Sequence, residues 1–222
     1  MKKIIKKILI YLRYLLYRYF IKNNIKSFYT FKNIQTKKVS NTSLSFFGYY
    51  NISPENNQKE ILFLRVGSEK ERSSIDESAK IYLKLADESF SEISQSKTWN
   101  WQQGCMLQFF PQNDNQIIFN DYDDKTSQYI SKVINKNGNL IRKYNIPINN
   151  VSKNGKFALS LNYDRLAIMR PDYGYFKHIN YSLPNDNDDG IWYLDMETGD
   201  IKLIITLEQL KNFYPTITMK GA

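Results

Sequence analysis

The sequence has one cysteine and one histidine among 222 residues, and only nine glycines and six prolines. A single cysteine, Cys105, excludes an internal disulfide and fits a reducing compartment. It gives a Cys/His nucleophile no local support, because His178 lies far along the chain, and a lone buried cysteine ordinarily packs as a small hydrophobe. No P-loop, GxGxxG, HExxH or GxSxG signature is present, so none of the chemistries these motifs announce is indicated. Acidic residues are missing from positions 1–38, which carry eleven lysines and arginines. The rest of the chain then holds 20 basic against 22 acidic residues, so the charge of +9 belongs to the amino-terminal head and not to the body.

The head also lacks a long apolar run. Residues 2–22 read KKIIKKILIYLRYLLYRYFIK, interrupted at Arg13 and Arg18. A transmembrane helix wants about 20 apolar residues, and a signal peptide wants an unbroken apolar region with a small-residue cleavage site. At helical spacing Ile4, Ile5, Ile8, Leu9, Leu12, Leu15, Leu16, Tyr19 and Phe20 form one face, opposite Lys2, Lys3, Lys6, Lys7, Arg13 and Arg18. This predicts an amphipathic helix lying on an anionic membrane surface. Packing of that apolar face on a protein, and targeting or insertion, are competing readings. Nucleic acid is not an expected partner, since the head has no reading motif and the body no basic patch. The expected location is cytoplasmic, peripheral at the inner membrane surface. Residues 23–45 are polar and read as a linker.

The remainder is rich in what strands use. Hydrophobic residues make up 42% and aromatics 15%, with 17 tyrosines and 13 phenylalanines. An imperfect repeat runs through it. Short apolar strands at 61–64, 117–119 and 157–161 follow the polar clusters SPENNQKE, PQNDNQ and SKNGK. Partner strands follow at 81–85, 129–134 and 191–194, then turns, then strands at 90–94, 140–146 and 201–207. Asn137-Gly138 and Thr198-Gly199-Asp200 are hairpin signals. Apolar stretches at 46–52, 101–110 and 145–151 precede each unit. Four strands at a period of about 40–55 residues are the pattern of propeller blades. The predicted fold is all-β: residues 46–222 as a partial β-propeller of about three four-stranded antiparallel blades, behind the amino-terminal helix. A β-sandwich is the rival. Propellers close with about 4–8 blades. The chain is therefore expected to be a piece of a longer protein, with 216–222 opening a fourth blade, or to self-associate through uncovered blade faces.

The segments FGYYNISP, TWNWQQGCMLQF, FND, SLNYDRL, RPDYGY and DDGIWYLDMETG resemble a family of bacterial propeller proteins similar to oligogalacturonate lyase and TolB-type propellers, over roughly residues 45–222. The resemblance implies further blades beyond Ala222. Oligogalacturonate lyase holds its metal largely with histidines. This chain has only His178, so that site does not carry over, and neither a metal nor a cofactor is expected.

Candidate ligand-binding residues follow from position and chemistry. Trp99, Trp101, Gln102 and Gln103 open the second unit, where a blade's first strand lines the central channel; indole faces and amides suit sugars. Packing between blades is the plainer reading of both tryptophans. The third unit carries 29 residues between Leu161 and Ile191, against 16 and 9 at the comparable places, and long loops are often functional. This insertion holds Arg165, Arg170, Tyr173, Tyr175 and His178. Its arginines suit a carboxylate or phosphate, or pair with Asp164 and Asp172. The run from Asn185 to Asp189 lacks EF-hand spacing and reads as a solvated turn beside a Ca²⁺ alternative. Asp121, Asp123 and Asp124 have the residue type for glycosidic acid–base work, though a solvated turn accounts for them as well. The expected function is binding or processing of a bacterial glycan or glycan precursor. The alternative is a non-enzymatic scaffold at the membrane surface.

Overall fold

Short apolar runs recur along the body, and the computed structural model turns them into three sheets. The structure describes residues 44–67 and 77–213. The expected helix over 2–22, most of the linker and the strand at 216–222 lie outside these residues. Strands β1 (Ser45–Phe46), β2 (Ile61–Arg65), β3 (Ala79–Lys84) and β4 (Phe90–Ser96) form the first sheet. The second comprises β5 (Gln108–Phe110), β6 (Asn113–Asp123), β7 (Gln128–Asn135) and β8 (Leu140–Tyr144). The third comprises β9 (Asn150–Val151), β10 (Phe157–Ser160), β11 (Gly190–Asp195) and β12 (Ile201–Thr206). Each is an antiparallel meander whose strands neighbour one another in chain order.

The second and third strands of each unit fall where the apolar runs and their partner segments place them. The first strands are shorter than their apolar stretches, because the chain turns away after Phe46 and enters the second sheet only at Gln108. Strand β6 is longer than expected: Gln112, at φ 65°, makes the turn tight enough for Asn113 to pair with Phe110. Two short helices depart from the strand-only expectation. Helix α1 (Tyr163–Met169) lies in the insertion, capped by Asn162, whose side chain accepts from the Arg165 N–H at 3.0 Å. Helix α2 (Leu207–Phe213) follows β12 directly. Thr206 and Gln209 exchange backbone–side-chain bonds of 2.8 and 3.0 Å there, a reciprocal capping box. Among the described residues no helix is long and apolar enough to cross a membrane.

The second sheet is buried on both faces, which a two-layer sandwich does not provide. In β6, Ile117 and Phe119 point one way, while Ile118 and Tyr122 point the other. The first set packs with Leu62, Leu64, Ile81 and Leu83 of the first sheet. The second packs with Val151, Ala158 and Leu194 of the third. Gly138, at φ 84° in the β7–β8 turn, lies so close to β4 that a Cβ would sit 2.2 Å from the Ile93 carbonyl. The outer faces differ. Phe63, Tyr82 and Phe90 cluster on the first sheet, with Phe90 49% exposed, and Phe157 stacks on Tyr193 at 5.6 Å on the third.

Connections β4–β5, β6–β7, β8–β9 and β10–β11 gather at one end. The Trp99 indole N–H donates to the Glu77 carbonyl at 2.8 Å, and Asn100 donates to the Gly174 carbonyl at 3.1 Å. Asn120 joins them. Fully buried in β6, it donates to the Ile148 carbonyl at 2.7 Å and the Tyr175 hydroxyl at 3.0 Å, and accepts from the Ile148 N–H at 2.7 Å. Asn120→Ala is expected to destabilise the protein by about 2–4 kcal/mol in urea denaturation, because it leaves the buried Ile148 N–H without its acceptor and takes a donor from the Ile148 carbonyl and the Tyr175 hydroxyl. Asn120→Asp should do no better, since it loses the donor.

Candidate functional site

At this end, between the second and third sheets, lies a cavity of about 410 Å³. Its walls follow from strand alternation. Tyr122 continues the β6 face of Ile118 and Asn120, and Trp192 continues the β11 face of Leu194, so each aromatic extends the shared core to the cavity rim. Gln128 and Tyr129 enter from the start of β7, and Asn145 from the β8–β9 connection. The insertion closes the remainder with Asn162, Tyr163 and Asp164 at the head of α1, and with His178, Asn180 and Asp188 from the following loop.

Two devices hold the insertion there. Tyr175, fully buried, stacks on Tyr163 at 4.3 Å with planes 4° apart. Beside it Tyr129 donates to the His178 carbonyl at 2.5 Å. Gly174 permits this approach, for a Cβ would fall 2.2 Å from the Ala167 Cα. The second device is Asp189, 2% exposed. It accepts from Arg165 Nε at 2.6 Å, Asn162 Nδ2 at 2.9 Å and the Gly190 N–H at 2.8 Å. Arg165 also donates to the Pro184 carbonyl at 2.8 Å. The loop's end is thereby tied to the helix's start.

Electrostatically the cavity is acidic. No lysine or arginine lines it. Asp189 is neutralised by Arg165, whereas among the described residues no ion pair engages Asp164 or Asp188. Burial pushes the Asp164 carboxyl above its ordinary range, against the opposing pull of the Asn180 N–H and of His178. Burial likewise raises the Tyr129 and Tyr175 phenols, and takes Tyr163 up to about 12. These hydroxyls are neutral donors and acceptors, not bases. The chemistry on offer is aromatic faces, carboxamides and carboxylates around a polar guest.

The residues singled out in the sequence fall in three places. Tyr175 and Arg165 build the cavity without offering their functional groups to it. Arg170 lies over the Tyr173 ring at 5.0 Å, and that ring meets Tyr49 edge-on at 6.3 Å. Trp99 is buried, edge-on to Trp101 at 5.2 Å, and Trp101 packs on Phe46 at 4.6 Å. Gln102 is exposed, while Gln103 is buried with its Oε1 unpaired. Asp121, Asp123 and Asp124 pair with Lys132, Lys143 and Lys97 respectively. Asp186 pairs with Lys211 at 2.6 Å. The Cys105 thiol is buried, which raises its pKa. Among the described residues no three His, Cys, Asp or Glu side chains gather to hold a metal ion.

Sequence reasoning passed over Tyr122, Asn145, Asn162, Asp164 and Trp192 as site residues. The available signal was the insertion itself, together with an aromatic two residues beyond a core position on each flanking strand. Comparison with family models, with curated proteins and with solved structures finds no match to this chain.

Proposed function

We propose that the three sheets are consecutive blades of a β-propeller and that the cavity between the second and third binds a saccharide. The propeller reading is supported by the chain-ordered meanders and by the middle sheet, which packs one face against the first sheet and the other against the third. One observation carries the ligand reading. Tyr122 and Trp192 face a cavity ringed by Gln128, Asn145, Asn162 and Asn180. Sugar rings stack on aromatic faces through their C–H surfaces, and amides match hydroxyls as paired donors and acceptors. About 410 Å³ is in the range of small-ligand sites and accommodates one or two sugar residues.

Isothermal titration of the protein against a panel of mono- and disaccharides tests this reading. Binding is expected for at least one member, and Trp192→Ala should weaken it at least about tenfold by removing an aromatic wall. Failure of the whole panel to bind would overturn the reading.

Asp164 supplies a check on the same site. Its folded carboxyl holds a proton at higher pH than in the unfolded chain. The ionised form therefore destabilises the fold, an effect absent at strongly acid pH and growing as pH rises through the folded pKa. Asp164→Asn should melt slightly higher than the parent at neutral pH, by an equivalent of no more than about 0.5 kcal/mol, and equally with it in acid. Calorimetry at both pH values reads the difference. Such a gain on removing a group is the mark of a residue kept for binding or chemistry.

A second reading, docking of protein, is favoured by the aromatic outer faces. The partly exposed aromatics of the third sheet's outer face would meet those of the first sheet's outer face in a second copy. Light scattering should then show self-association that Phe90→Glu and Tyr193→Glu each abolish. Mixing the two variants should restore one junction and give a dimer. A monomeric parent protein would exclude this reading.

A further inference from the structure

We propose that the guest of the saccharide cavity is a glycoside with an apolar aglycone, whose alkyl part lodges in a second cavity beside the first. The inference rests on the saccharide reading above and adds the chemical class of what the sugar carries. Between α1 and α2 lies a cavity of about 270 Å³. Its apolar lining follows from helical spacing. Leu166 and Met169 stand three residues apart on α1, and Leu207 and Leu210 three apart on α2, so each pair shares a helix face. Neither face is packed shut: Met169 is 45% exposed, and α2 has no buried residue. The polar side chains in the same wall are engaged within the protein, Arg165 and Asn162 with Asp189, and Lys211 with Asp186. What remains for a guest is chiefly hydrocarbon.

Position selects the occupant. Leu161, Asn162 and Asp189 line both cavities, so the apolar one adjoins the saccharide cavity across the Asp189 tie. A single molecule that uses both is polar at one end and apolar at the other, with the two parts directly joined. An alkyl glycoside has that form. With its sugar against Tyr122 and Trp192, its aglycone would cross the rim of the shared wall and meet the leucines of α1 and α2. At about 270 Å³ the apolar cavity falls just below the range of whole small-ligand sites, which suits the alkyl part of a larger ligand. Each methylene it withdraws from water is worth up to about fourfold in affinity. The pattern of residues 2–22, read as a helix for a membrane surface, would place the chain where such amphiphiles reside.

Titration calorimetry on the full chain tests the proposal with the methyl, butyl and hexyl β-glycosides of glucose, galactose and N-acetylglucosamine. In any series that binds, the hexyl member is expected to bind at least about tenfold more tightly than the methyl member, with the butyl member between them. Met169→Gln and Leu210→Asn, each confirmed folded by circular dichroism, should shrink that ratio toward one and leave the affinity for the methyl glycoside as in the parent. Trp192→Ala should weaken the methyl and hexyl members by similar factors. Equal affinity for methyl and hexyl members would overturn the alkyl assignment while leaving the saccharide reading standing. A hexyl preference that neither Met169→Gln nor Leu210→Asn reduces would do the same. Hexyl glycoside binding that Trp192→Ala leaves untouched would overturn the bridging of the two cavities. Absence of binding throughout all three series would remove both readings.

Discussion

The loop-bearing end of this protein depends on one buried carboxamide. Asn120 lies at the centre of β6, on the face that the second sheet turns toward the third, where an apolar residue would be expected. A polar side chain buried without partners is strongly unfavourable, so its presence requires that every donor and acceptor be met. They are met by the Ile148 backbone and the Tyr175 hydroxyl, which belong to two different connections. The Asn120 carbonyl in turn accepts from the Ser96 hydroxyl at 2.7 Å, reaching back to the first sheet. One residue thus sets the spacing of three units at one end.

From that anchor the insertion acquires a fixed course. The Tyr163 hydroxyl donates to the same Ile148 carbonyl at 2.9 Å, and the Tyr163–Tyr175 stack packs the head of α1 against the loop that follows it. The Asp189 tie fixes the other end. Between these two fastenings the loop spans the gap between sheets without filling it, and the cavity is what remains. Its polar character has the same origin. The core between the sheets is apolar up to Tyr122 and Trp192, and beyond them the lining comes from connections rich in Asn, Asp, Ser and Thr. An aromatic floor under an amide and carboxylate rim is therefore a product of where the sheets stop.

Legibility in the sequence divides along the same line. The second and third strands of every unit were readable, because short apolar runs bounded by polar turn residues mark buried strands, as Ile, Leu, Val and Phe do at 61–65, 117–119 and 130–134. The two helices were not read, since seven residues give less than two clear turns of periodicity. Their caps were nonetheless written out: Asn162 before α1, and Thr206 with Gln209 before and within α2. The insertion was legible as a candidate through its length alone. Within it the roles of individual residues were not, because Arg165 meets Asp189, 24 positions away, and Asn120 meets Tyr175, 55 positions away.

By itself the sequence determined the all-β class, the grouping into four-stranded units and the presence of an insertion in the third, since these depend on local periodicity and turn chemistry that neighbouring residues enforce. Tertiary structure alone decided which polar groups are spent and which are free. Arginine, aspartate and tyrosine look alike in sequence whether they fasten a loop or face a guest. Only folding, by bringing Asp189 to Arg165 while no ion pair among the described residues engages Asp164 or Asp188, separates the two roles. The physical reason is that an ion pair or a buried hydrogen bond is set by distance in space, and the chain's order fixes that distance only after the sheets have packed.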